Sequence, residues 1–196
     1  IFHHTMMCHI QLANYIHENH SDVKIGGMLA YQQIYPATSK PEDVWAAKQV
    51  QEFLNFNIYD ADTGCGYSPE VMQYVKNHGI QMDITDEDKE IMKKAKADFL
   101  AFSYYSSWVL SSDKIPDGEA PNHYLNKGGV ESKYVKTTDW GWAIDPLGFR
   151  NAITTMYNYY RIPIFPIENG IGLKETWDGE HMIEDDERIA YHRDHI

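Results

Sequence analysis

Three short apolar runs, each reached through a stretch of helical spacing, are the strongest constraint on what this chain can fold into. They are Lys24-Ile25-Gly26-Gly27-Met28-Leu29-Ala30-Tyr31, Phe99-Leu100-Ala101-Phe102-Ser103-Tyr104-Tyr105 and Ile162-Pro163-Ile164-Phe165-Pro166-Ile167-Glu168. Strands separated by whole helices cannot pair as hairpins, so they pair in parallel through βαβ crossovers. The aromatic run ending at Tyr105 reads as a strand buried on both faces, as parallel sheets require. Two architectures remain, the doubly wound sheet and the TIM barrel. No glycine-rich phosphate loop follows any of the three runs, which disfavours a nucleotide-binding doubly wound sheet.

The intervening helices carry their own punctuation. His3 to Asn19 has the spacing of a packed helix. Ser39 stands as an N-cap with Glu42 three residues on, and Val44, Ala47, Val50 and Leu54 mark one face. Glu70 to His78 reads as a helix stopped by Gly79. Thr85-Asp86-Glu87-Asp88 opens another helix and Lys93, Lys94 and Lys96 close it, a charge run that reads as a solvated face favoured by the macrodipole. Asp145-Pro146 is an N-cap followed by proline at the first helical position, with Phe149, Ala152, Ile153, Met156 and Tyr160 on one face. The polar stretch from Ser111 to Thr138 is expected to be a large mobile loop, forming part of an active-site wall. The chain opens at Ile1 inside one helical pattern and ends within another, Asp185 to Ile196, so a single incomplete domain over 1–196 is expected, truncated at both ends.

Charge and cysteine usage narrow the partners. Seventeen basic against 29 acidic residues give a net charge of -12, which argues against binding nucleic acid or an anionic membrane. Two cysteines cannot form a disulfide framework, so a reducing compartment, the cytoplasm, is expected. No run of about 18 apolar residues offers a membrane span. His3, His4 and His9 lack cysteine or carboxylate partners at zinc spacing, so no metal is expected. Cys65, between two glycines, reads as a loop thiol rather than a nucleophile.

Chemistry concentrates at the strand ends. The run from Pro163 closes on Glu168-Asn169-Gly170, a buried strand that delivers one carboxylate to the rim of a sheet, where α/β enzymes keep catalytic groups. A strand-end glutamate capping a following helix fits the same pattern. Tyr105 ends the neighbouring run on the same rim, where a phenol could orient a carboxylate or serve as a core aromatic. Asp139-Trp140-Gly141-Trp142 sets two indoles beside a glycine, and flat aromatic faces suit sugar rings as well as ordinary packing.

Together these residues resemble glycoside hydrolase family 1, and within it the bacterial 6-phospho-β-glucosidases. The resemblance covers the whole chain, including His3-His4 and Gly66-Tyr67-Ser68-Pro69 as structural signatures. It implies a partial TIM barrel in which the three runs are the fifth, sixth and seventh of eight strands. It implies that Glu168 is the nucleophile of a retaining β-glycosidase, that Tyr105 contacts and orients it, and that Trp142 lines the aglycone side, with Trp140 and Tyr104 as further substrate contacts. Ser103, where many plain β-glucosidases have Asn, and the doubled tryptophan point to the phospho-sugar branch. No cofactor is implied, and the partner is a phosphorylated β-glucoside. Pro166 departs from the family pattern, where a β-branched residue is usual, and puts the pairing before Glu168 in question.

The family's acid/base glutamate sits in an Asn-Glu motif that would precede Ile1, and its phosphate-holding Ser, Lys and Tyr would follow Ile196. The chain alone is therefore expected to be inactive and to self-associate through exposed strand edges. A non-catalytic sugar-binding or oligomerising remnant, a plain β-glucosidase and a 6-phospho-β-galactosidase remain alternatives.

Overall fold

The computed structural model describes residues 1–196. Helix α1 (Phe2–Asn19) buries Met6, Met7, Ile10 and Ala13 and leads to β1 (Met28–Ala30) and β2 (Gln33–Pro36). Helix α2 (Pro41–Gln51) passes through a π-turn, Glu52–Phe56, into α3 (Asn57–Asp62). Then come α4 (Pro69–Asn77), α5 (Asp86–Lys93), β3 (Leu100–Tyr104) and β4 (Ser107–Leu110). After two single 3-10 turns the chain forms α6 (Tyr124–Gly128), β5 (Gly129–Val130), α7 (Pro146–Tyr160), β6 (Ile164–Asn169) and α8 (Asp186–His195).

The main sheet has the order β1-β3-β6, parallel throughout, as the strand-helix alternation predicts. Central β3 is buried along its whole length. Its Leu100, Phe102 and Tyr104 form a core with Leu29, Tyr59 and the α7 residues Phe149, Ala152 and Met156. The Asp145 side chain accepts from the Gly148 amide and caps α7, as expected from Asp145-Pro146. Thr85 and Asp88 likewise cap α5 reciprocally.

A second sheet, β2-β4-β5, is not foreshadowed by the sequence patterns. Strands β2 and β4 pair in parallel, and β5 joins β4 antiparallel. Each long run thus serves both sheets and crosses a seam between them, at Tyr31-Gln32 in one run and Tyr105-Ser106 in the other. The seam is closed by Asn55 in the π-turn, which accepts from the Gln32 amide at 3.1 Å and donates to the Gln32 carbonyl at 2.8 Å. One buried side-chain amide supplies the two bonds that strand pairing leaves open there.

Four expectations are corrected. Ser39 does not cap α2, which starts at Pro41 with Lys40 before it. Instead Thr38 accepts from the Lys40 amide and donates to buried Asp43, whose other oxygen accepts from Ser112. The buried face of α2 is Asp43, Ala46, Ala47 and Val50, which turns Val44 to solvent. The 111–138 stretch is not loop throughout: it carries two 3-10 turns, α6 and β5, and packs at Gly128, where a β-carbon would stand 2.7 to 2.9 Å from Ile115, Leu110 and the Ser111 carbonyl. Finally, β6 is not a buried strand but a half-exposed edge, with Phe165 and Ile167 open to solvent.

Pro166 coincides with a break in the ladder. Phe102 pairs with Pro166 but the next residue, Ser103, pairs with Glu168, so Ile167 is the extra residue of a bulge. A proline removes a strand N–H, and a bulge re-aims the residues that follow.

Candidate active site

The carboxylate of Glu168 is placed by its register with Ser103. Side chains alternate along a strand, so Ser103 and Tyr105 share a face, and paired Glu168 projects toward both. Ser103 Oγ donates to Glu168 Oε2 at 2.5 Å, and Tyr105 Oη donates to the same oxygen at 2.8 Å. Oε1 carries neither bond. Donation by Ser103, then Tyr105, favours the ionised form and holds the Glu168 carboxyl below its ordinary value. The same bond raises the Tyr105 phenol, which therefore stays a donor.

An aromatic wall stands beside this pair. The Tyr105 ring lies 5.5 Å from Trp142, and Trp142 meets Trp140 edge-on at 5.8 Å between centroids. A tight turn holds both indoles: the Thr138 amide donates to the Trp142 carbonyl, the Gly141 amide to the Thr138 carbonyl, and Gly141 takes φ +79. The Ala143 amide donates to Ser106 Oγ at 2.9 Å, tying the turn to the seam. Trp140 lies over the chain that follows the carboxylate, since a β-carbon on Gly172 would meet its ring at 2.6 Å.

The structure brings Glu168, Tyr105, Trp142 and Trp140 into one locale and removes Tyr104 from it. Tyr104 is wholly buried, packs its ring 5.2 Å from Phe149 and donates to the Asp145 carbonyl at 3.1 Å. It is one residue out of phase with Ser103 and Tyr105, so it faces the helices and cannot touch a substrate. Two participants were missed. Ser103 as a second donor to Glu168 is legible from its two-residue spacing to Tyr105. Tyr191, which donates to Asn169 Oδ1 at 2.7 Å, lies 22 residues away on α8 and has no local pattern to announce it.

The site is an open rim rather than a closed chamber. A cavity of about 1230 Å³ lies between Tyr35, Val109, Tyr134 and Leu147 and includes neither Glu168 nor either tryptophan. Of the three histidines singled out in the sequence, His3 sits between Tyr67 Oη at 2.8 Å and Asp88 at 3.3 Å, joining α1 to α5 and the loop before α4.

Comparison with known proteins identifies the family. Residues 1–196 match the sequence model of Glycosyl hydrolase family 1, and the chain belongs to that family. Aryl-phospho-beta-D-glucosidase BglH of Bacillus subtilis (strain 168) is 37% identical over 180 residues, covering 92% of this chain and 38% of that protein. The 6-phospho-beta-glucosidase of Dickeya chrysanthemi is 35% identical over 195 residues, covering 99% of this chain and 41% of its own length. A 6-phospho-beta-galactosidase of Staphylococcus epidermidis is 34% identical over 218 residues, covering 99% of this chain and 46% of that protein. Among solved structures, a family 1 β-glucosidase from Thermotoga maritima superimposes with a TM-score of 0.82 at 23% identity, over 98% of this chain and 41% of that one. The main sheet and its helices therefore have the fold of part of an α/β barrel. The chain spans about two fifths of the length of BglH and the Dickeya enzyme.

Proposed function

We propose that this chain carries the nucleophile-bearing part of a retaining β-glycosidase that hydrolyses 6-phospho-β-glucosides. In this reading β1, β3 and β6 are the fifth, sixth and seventh barrel strands. Glu168 attacks the anomeric carbon and forms a glycosyl-enzyme ester. The glycosidic C–O bond breaks, and the departing oxygen takes a proton from a second carboxylic acid roughly 5 to 5.5 Å away. Water then hydrolyses the ester, with that second group acting as base.

The observation that carries the reading is the donation of two hydroxyls to one oxygen of a strand-end carboxylate. Oε2 is occupied, so Oε1 is the attacking oxygen, and both donors hold the carboxylate in line. Support for a phosphorylated glucoside comes from the names of the relatives. The galactoside-named relative favours a second substrate, differing only in one sugar hydroxyl. The wall of Trp142 and Trp140 would take the aglycone.

No carboxylic acid bonds Glu168 or shifts its ionisation, so in this reading the chain by itself lacks a proton donor for ordinary glycosides, and its free β1 and β6 edges favour self-association. A donor whose leaving group needs no proton bypasses that lack. Incubation with 2-deoxy-2-fluoro-6-phospho-β-glucosyl fluoride, followed by peptide mass mapping, should place the sugar on Glu168 and leave Glu168→Gln unlabelled. An adduct elsewhere, or none, overturns the reading. Saturable binding of the same sugar, unchanged in Glu168→Gln and without an adduct, would mark a sugar-binding remnant instead.

A further inference from the structure

We propose that Tyr191 is a positioning residue for Glu168, acting through Asn169. This rests on Glu168 being the nucleophile, and it concerns how a carboxylate on an exposed strand edge is kept in one place. Upstream of Glu168 the ladder gives little help. Pro166 has no N–H to offer, and the register slips between Phe102 and Ser103. Downstream, Gly170 has nothing within 4 Å of where a β-carbon would lie. Only the pairs Ser103 with Glu168 and Tyr104 with Asn169 hold this two-residue end of β6.

Those two residues face opposite ways. Glu168 turns to Ser103 and Tyr105, while Asn169 pairs with buried Tyr104 on the helix side. There Tyr191, itself 2% exposed, donates to Asn169 Oδ1 at 2.7 Å. Its ring stacks on His195 at 3.8 Å between centroids, and the His195 Nδ1 lies 2.7 Å from the Tyr191 carbonyl, so the phenol's place is set within α8. Burial raises the Tyr191 phenol, which keeps it a neutral donor over the working pH range. The peptide joining residues 168 and 169 is thus pinned from both faces of the sheet. Release of the outer anchor lets it rotate, and the carboxylate then leaves the two hydroxyls that hold Oε2.

The side chains that shift the ionisation of Glu168 are Ser103 and Tyr105 alone, so its titration midpoint reports whether that contact persists. The experiment is a ¹³C NMR titration of Glu168 in the full chain, for wild type, Tyr191→Phe, Asn169→Ala and the double variant, with circular dichroism to confirm an unchanged fold. The expected result is an upward shift of the midpoint toward the ordinary value of about 4.3. It should be equal in both single variants and no larger in the double. Labelling by the fluoro-sugar should slow by roughly tenfold or more in each. Folded variants with an unmoved midpoint overturn the proposal, as does an additive double variant. Loss of fold in Tyr191→Phe passes the decision to Asn169→Ala, which leaves α8 intact. A wild-type chain that never labels would defeat the proposed function, while the midpoints would still decide the role of Tyr191.

Discussion

Gly27 lies directly against the carboxylate of Asp62: a β-carbon at residue 27 would stand 1.9 Å from Oδ2, closer than atoms can approach. Asp62 ends α3 with a 2% exposed side chain, so it cannot swing away into solvent. Gly27→Ala should therefore destabilise the fold by about 1–3 kcal/mol, the usual cost of overpacking a filled interior. Urea denaturation read by tryptophan fluorescence checks this, with a lower midpoint and an unchanged slope expected.

Burial raises the same Asp62 carboxyl to about 7. Its Oδ1 lacks a hydrogen bond, and the facing His9 stands at 3.6 Å, with its own ionisation lowered by burial. The folded chain then holds a proton that the unfolded chain has released once pH exceeds about 4. Stability consequently falls as pH rises from about 4 to 7 and levels off above that. Asp62→Asn should flatten this slope, and denaturation midpoints collected across that window measure it.

Removing one donor from Oε2 should raise the Glu168 midpoint without unfolding the chain. Ser103→Ala and Tyr105→Phe are each expected to do so, and the pair together more than either alone, because both bonds favour the ionised carboxylate. With wild-type Ser103 and Tyr105 the carboxylate stays ionised into the acid range, so labelling by an activated donor should persist there. It should fall at a higher pH in either variant. A labelling-rate profile against pH gives the shift.

Gly172→Ala should displace the Trp140 indole, since its β-carbon would enter the ring at 2.6 Å. The edge-on contact with Trp142 would open, and the near-ultraviolet circular dichroism of the tryptophan pair should weaken. The Glu168 midpoint should stay put, because Trp140 touches neither hydroxyl donor.

Asn55→Ala should cost about 2 kcal/mol or more, because it strands both the amide and the carbonyl of Gln32. Hydrogen exchange at Gln32 should accelerate beyond that of residues in β1.

What the sequence disclosed follows from the reach of each pattern. Parallel pairing was legible because whole helices separate the three runs, and Glu168 because an apolar run stops abruptly there. The second sheet was not, since β2, β4 and β5 are two to four residues long, too short for alternation to declare itself. Val44 was placed inward because apolar spacing alone cannot see that buried Asp43, satisfied by Thr38 and Ser112, rotates the inner face of α2. Tyr104 was expected among the substrate contacts, although a strand sends it to the face opposite Tyr105. Pro166 did forewarn of a fault in the ladder, and the bulge at Ile167 lies beside it.

The seam between the sheets has a consequence for how such a site can change. Tyr105 and Ser106 belong to neither sheet, yet one addresses the carboxylate and the other holds the turn that carries both indoles. Below them, β1, β3 and β6 form a seat in which β3 is buried along its length and Glu168 stands on a half-exposed edge. Above them, β2 and β4 pack Ile34 and Leu110 against α2, while the turn bearing both indoles is tied on through Ser106. On the proposed function, aglycone preference can therefore change by redrawing that turn, while Glu168 keeps its place on the seat below.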